Sequence, residues 1–273
     1  MTIATSKKNS ADWPVIGFMA FLHIGALFAL LPANFSWSAV GFAVFLHWVT
    51  GGLGITLGFH RLVTHRSFQT PKWLEYFLVF CGTLCCEGGP IEWVGMHRLH
   101  HVHSDTEKDP HDSNQGFWWS HMGWMLSDIP IRSEIPRFTK DISDDPVYKF
   151  LQAYFIPIQI VFGLLIYLLG GWSFVAWGVF MRIVVVFHCT WLVNSATHKF
   201  GYRTYESGDG STNCWWVAVL TYGEGWHNNH HAFQYSARHG LQWWEIDITW
   251  MTIQLLQTLG LATKVKLADI AEK

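Results

Sequence analysis

Nine of the sixteen histidines fall into four short motifs: His60 and His65 in HRLVTH, His97, His100 and His101 in HRLHH, His198 in NSATH, and His227, His230 and His231 in HNNHH. The second and fourth motifs share the spacing H-x-x-H-H. On a helix, positions i, i+3 and i+4 lie on one face, so each such motif can aim three imidazoles at one point. Neutral imidazole is the commonest metal ligand among side chains. Asn194 stands one helical turn before His198 and would face the same point. His60 and His65 are five apart, well over a quarter turn off a common face, so they serve different metals or sit on a distorted turn. Nine ligands exceed the roughly four to six that one ion accepts, which implies two metals.

The other histidines have a plainer reading. A single histidine near a membrane edge is ordinarily interfacial or hydrogen-bonded, and this covers His23, His47, His103, His111, His121, His188 and His239. The cysteines, Cys81, Cys85, Cys86, Cys189 and Cys214, are odd in number and form no Cys-x-x-Cys pair. They support neither a zinc ribbon nor a disulfide framework, and read as buried thiols. Imidazole-rich sites suit zinc, copper or iron. Zinc would need a hydrolysable bond, and no serine triad or polar pocket is evident. Oxygen chemistry on an apolar substrate favours iron, which leaves coordination positions open to dioxygen.

The elements that hold these motifs follow from composition. The chain has 273 residues, 50% apolar, 16% aromatic and only 14% charged, with a mean hydropathy of +0.18. That balance is too apolar for a soluble domain of this length. Four stretches are long enough to cross a bilayer: 13–31, 35–59, 150–170 and 172–193. Arg182 is the one full charge inside them, paired either to a buried partner or to backbone carbonyls. The first stretch lacks a cleavage site and is read as retained. Pro32–Asn34 and Gly170–Gly171 are uncharged connections, so the spans form two hairpins whose tips face one side. Lysine and arginine, Lys7 and Lys8 included, flank the other side, which is therefore cytoplasmic. The expected fold is an all-α integral membrane protein, one domain over 1–273. Its four transmembrane helices carry a helical cytoplasmic cap, from 60–149 and 194–273, that holds a di-metal site. Tyr76–Cys86 is apolar but too short to span, and reads as interfacial or re-entrant. Gly51, Gly52, Gly54 and Gly58 suggest close helix packing.

The ordered motifs and their flanks, LGITLGFHR, DPHDSNQGFWWSHMGW, WLVNSATHKFGYR and GEGWHNNHH, resemble the membrane fatty-acid desaturases of the stearoyl-CoA desaturase type. The likeness covers roughly residues 35 to 250. It implies a non-haem di-iron centre held by the nine histidines, with Asn194 holding a water on one iron. It also implies dioxygen as co-substrate and a cis double bond at carbon 9 of a saturated acyl chain. Animal acyl-CoA relatives carry Arg-Asp before the second motif and a basic pair after the Gly-Trp. Here those places read Gly95-Met96 and Ser127-Asp128. Coenzyme A phosphates want Arg or Lys partners, yet 60–147 holds eight Lys and Arg against twelve Asp and Glu. An acyl chain of a membrane glycerolipid is the better substrate, as in the cyanobacterial acyl-lipid Δ9 desaturases, which the chain resembles most closely. Such a protein would sit in a thylakoid or plasma membrane.

No cytochrome b5-like segment is appended, so electrons come from a separate carrier. The family points to ferredoxin, with cytochrome b5 as the alternative, and nothing suggests nucleic acid. The charge balance gives no independent support for docking an acidic protein. Two rivals stand beside this reading: a di-iron membrane hydroxylase or ketolase with similar histidine motifs, and a non-catalytic metal carrier or sensor. A carrier would place its ligands within the spans, and the nine lie outside them.

Overall fold

The computed structural model describes residues 10–270, so Lys7 and Lys8 lie outside the described residues. Among these the chain is helical, with only isolated bridges and no strand. Helix α1 (Trp13–Ala29) starts at Asp12, whose carboxylate accepts from the Val15 N–H at 3.2 Å. A 3₁₀ turn, Pro32–Asn34, leads to α2 (Trp37–His47), which continues as a π-helix, Trp48–Thr64. Helices α3 (Lys72–Thr83) and α4 (Pro90–His103) follow, then short α5 (Ile135–Phe138) and α6 (Pro146–Ala153). Helix α7 (Phe155–Val175) is broken at Gly170 and Gly171, then passes through a π-turn into α8 (Arg182–Ser195). Three more follow: α9 (Trp215–Leu220), α10 (His227–Ala232) and α11 (Ile248–Thr258).

Two helices are long and apolar enough to cross a membrane, Trp37–Thr64 and Phe155–His198, while Trp13–Ala29 is apolar but shorter. The second runs 44 residues and folds back midway, because Gly171, at φ 65°, takes a conformation other residues rarely adopt. The two reversals touch: Ser173 Oγ donates to Asn34 O at 2.7 Å. That meeting agrees with hairpin tips on one side. The third apolar stretch begins at Phe155 rather than 150, since 150–153 belong to α6 and the chain leaves helical geometry at Tyr154. Leu27, Phe45, Leu164 and Leu168 lie exposed along these helices, the apolar outer surface that lipid would cover.

The glycines of the π-helix do pack tightly. A Cβ on Gly54 would sit 2.3 Å from Gly82 N, and one on Gly58 would sit 3.0 Å from Leu78 O. The π-helix and α3 therefore meet backbone to backbone. Arg182 has two backbone partners and one side-chain partner: Nε donates to Gly178 O at 2.8 Å, and Nη1 to Leu84 O at 2.9 Å and to the Thr50 hydroxyl at 3.0 Å. All five cysteines are free and buried.

Candidate metal centre

The π-helix and its C-cap, α4, the 3₁₀ turn Ala196–His198 after α8, and α10 bring all nine motif histidines together, sorted into two groups. His60, His65, His97, His101 and His230 each place one ligand nitrogen within 4.8 Å of the others. His100, His198, His227 and His231 do the same. The expectation that each H-x-x-H-H aims at one point is corrected. At about 100° per residue, His97 and His101 stand about 40° apart while His100 lies on their far flank. Helix α4 thus gives two imidazoles to the first group and one to the second. Helix α10 does the reverse, with His227 and His231 in the second group and His230 in the first.

The first motif sits on a distorted turn, as one of the two readings required. The backbone bond runs from His65 N to His60 O at 3.1 Å, an i→i+5 closure. The wider π turn brings the two rings to 4.7 Å, and both join the five-histidine group.

The donor set fits metal. In the four-histidine group, Nε2 of His100, His198, His227 and His231 is in every case buried without a partner. Three of these rings are fixed from behind: His100 Nδ1 lies 2.9 Å from Asp109, His198 Nδ1 2.9 Å from Asp105, and His231 Nδ1 2.6 Å from Asp209. A ring that donates from Nδ1 to a carboxylate turns the Nε2 lone pair inward. In the five-histidine group the Nε2 atoms of His60 and His230 are 3.2 Å apart, and those of His101 lie 3.0 Å from both His97 and His230. Neighbouring nitrogens on one ion, each bound at roughly 2.0–2.1 Å, stand at about that spacing.

Electrostatics differ between the groups. Glu224 Oε2 lies 2.8 Å from His60 Nδ1 and 3.0 Å from His239 Nδ1, while Arg61 holds Oε1 at 3.0 Å. Burial alone would raise Glu224, but Arg61, then His60 and His239, hold it well below the carboxylate range. Burial, followed by neighbouring imidazoles, pushes His65, His97, His101, His227 and His230 well below the usual histidine range. They are neutral and free to ligate. Burial opposes charge on His100 too, yet Asp109 and Asp105 leave its pKa raised.

Sequence reasoning missed this outer layer. Motif spacing does not single out Asp105, Asp109, Asp209, Glu224 and Arg61, and the reading of His111 and His239 as interfacial or hydrogen-bonded does not say that they stand beside the two groups. His111 packs 4.2 Å from His100, and His239 shares Glu224 with His60. The available signal was a carboxylate close in sequence to two of the four motifs: Asp105 and Asp109 follow HRLHH, and Glu224 precedes HNNHH. The bland reading does suit His23, His188 and His121, which hydrogen-bond in series at 3.2 and 3.0 Å and end on Ser195 Oγ at 2.9 Å.

A cavity of about 230 Å³ reaches this centre, with His97 and Asn194 in its lining. Trp93, Glu87, Phe187 and Phe155 form its walls, and it continues to Val15 and Arg132. Asn194 and His97 also line a smaller cavity of about 50 Å³ beside His60 and His227, between the two groups. Glu87 is pinned across the wall, accepting from Trp93 Nε1 at 3.1 Å and Thr190 Oγ1 at 2.7 Å. Burial pushes its carboxyl up to about 7.

The fatty acid desaturase family model matches residues 34–254, which contain both histidine groups and Asn194. The chain belongs to the fatty acid desaturase family. It is 76% identical over 269 residues to the sn-1 stearoyl-lipid 9-desaturase of Anabaena variabilis, covering 98% of this chain and 99% of that one. It is 65% identical over 263 residues to the sn-1 stearoyl-lipid 9-desaturase of Synechocystis sp., covering 96% and 83%. With the sn-2 palmitoyl-lipid 9-desaturase of Nostoc sp. it shares 52% over 269 residues, covering 96% and 94%. As a desaturase it has a reason to join a buried imidazole cluster to a narrow apolar cavity: the reacting atoms lie in an unactivated hydrocarbon chain.

Proposed function

We propose that this desaturase introduces a cis double bond at carbon 9 of a saturated acyl chain esterified to a membrane glycerolipid. The observation that carries the reading is the apolar cavity ending against His97 and Asn194, beside both histidine groups. The five-histidine group would hold one iron and the four-histidine group the other, with Asn194 contributing through water. Bound iron would supply one chemistry, activation of dioxygen with two external electrons so that one hydrogen leaves each of two adjacent methylenes. The chain's own residues do the rest. An acyl chain has no polar handle near its reaction point, so the walls must fix its register. Trp93 and Thr190, tied through Glu87, give the cavity rigid surfaces beside the reacting end.

The lipid substrate is favoured over acyl-CoA by the cap. A Cβ on Gly95 would meet Ile135 Cγ2 at 2.5 Å and Thr139 Cγ2 at 2.8 Å, so the arginine that animal acyl-CoA relatives carry there would require those side chains to shift. We take 1–273 as one domain with four spans in two hairpins, and the histidine cap and termini in the cytoplasm. A separate ferredoxin would supply electrons.

The test is lipid analysis of a host given a ferredoxin system and either the intact chain or its His230→Ala variant. A new Δ9 monounsaturated acyl chain should appear in glycerolipids with the intact chain alone. Its appearance first in the acyl-CoA pool would reassign the substrate, and hydroxylated product would reassign the reaction.

A further inference from the structure

The nine histidines are not equally sealed. His65 and His101, both of the five-histidine group, line an open hollow of about 410 Å³ with Thr64, Arg98, Gln234 and Tyr235. No member of the four-histidine group lines it. The acyl cavity reaches the same centre elsewhere, through His97 and Asn194. The centre thus has two separate approaches, of which the acyl cavity is the more apolar.

One cation, Arg98, lines the open approach, and further cations stand on the chain segments beside it. Its lining comes from 64–65, 98–102, 138 and 234–235, and 263–266 lies beside it, bonded to the neighbouring stretches 67–69 and 237. Thr263 pairs with Gln69, Lys266 N donates to Ser67 O, and Ala237 N donates to Lys266 O. The stretches 64–69, 98–102, 137–141, 234–238 and 263–266 carry Arg66, Arg98, Arg137, Lys140, Arg238, Lys264 and Lys266 against Asp141, with Glu134 beside them paired to Arg137. Asp141 is shared by Arg66 and Arg98. Lys140, Lys264 and Lys266 are exposed. The chain as a whole has a net charge of −2, so this face is a local reversal that composition conceals.

We propose that the hollow over His65 and His101 is the docking face for a small acidic one-electron carrier. The inference rests on the desaturase reading, because that reaction needs electrons from outside: CH2–CH2, O2, two electrons and two protons give CH=CH and two waters. Each docking event oxidises the carrier's iron–sulfur cluster by one electron and passes it to the metal pair, so two events serve one turnover. A carrier on this face sits directly over two ligand imidazoles without opening the acyl cavity to water. Charge complementarity raises the association rate and makes it fall with ionic strength.

The probe is reduced plant-type [2Fe–2S] ferredoxin, mixed with the iron-loaded protein and followed by stopped-flow absorbance. Lys264→Glu combined with Lys266→Glu should lower the bimolecular rate at low salt by about tenfold or more and flatten its salt dependence. Lys108→Glu, an exposed reversal outside these segments, should leave both unchanged. A paired Lys→Gln variant should give a smaller loss with full iron content, which guards against misfolding. A wild-type rate and salt slope in the double Glu variant would overturn the proposal, as would an equal loss in Lys108→Glu. Single-turnover desaturation driven by reduced methyl viologen, which needs no docking face, separates the two readings. Product there, with ferredoxin kinetics unaltered by the reversal, overturns the docking face and leaves the desaturase standing.

Discussion

At the scale of the residue, the centre is a histidine problem solved by carboxylates. The imidazoles were legible because three histidines in five positions, twice, have few other uses. Their partners were not, since an aspartate in a polar loop such as ESGDGS looks like any turn residue until the chain folds it onto His231. The four-histidine group is backed by Asp105, Asp109 and Asp209, whereas the five-histidine group has Glu224, whose charge Arg61 offsets. Losing such an outer partner typically weakens metal binding about 10- to 100-fold. Asp209→Asn should therefore lower bound iron from two toward one per chain by elemental analysis, and an unchanged pair would deny Asp209 that role. Glu87 yields a pH prediction. Burial lifts its carboxyl from 4.5 to about 7, so the fold favours the neutral form. That stability is complete below 4.5 and is lost as pH rises through about 7. Thermal unfolding of the wild type should move to lower temperature across that window, and Glu87→Gln should flatten the trend.

At the scale of the element, hydropathy located the apolar helices and the two reversals, but not the winding of the helix that carries His60 and His65. A π-helix has no composition of its own. Here it coexists with glycines that let α3 approach closely, and its i→i+5 closure turns a mismatched pair of histidines into neighbours. The split of each H-x-x-H-H between two groups also needed the relative placement of α4 and α10, which spacing within one helix cannot supply. The start of the third apolar stretch was misplaced for a similar reason: α6, capped by Asp145, is continuous in hydropathy with α7 but separate in geometry. Gly54 tests this scale. A methyl there would meet backbone atoms of Cys81 and Gly82 at 2.3 to 2.6 Å, and overpacking of this kind costs about 1–3 kcal/mol. Gly54→Ala should unfold at lower temperature and turn over more slowly. Gly17→Ala, with open space at its Cβ, should do neither.

At the scale of the whole molecule, composition announced a membrane protein and the order of motifs announced its family. The charge distribution was misleading: a near-balanced total hides cations gathered from five separate segments beside one approach to the histidines. The molecule keeps two separate approaches to the histidines, an apolar cavity through His97 and Asn194 and a second hollow over His65 and His101. The most direct test uses the purified, iron-loaded protein with reduced ferredoxin and dioxygen in bilayer discs of a distearoyl glycerolipid, beside a parallel reaction on stearoyl-CoA. Mass spectrometry of the intact products reads the outcome. The account predicts an 18:1 chain unsaturated at carbon 9 and still esterified to glycerol, with stearoyl-CoA untouched; desaturation of the thioester alone would contradict it.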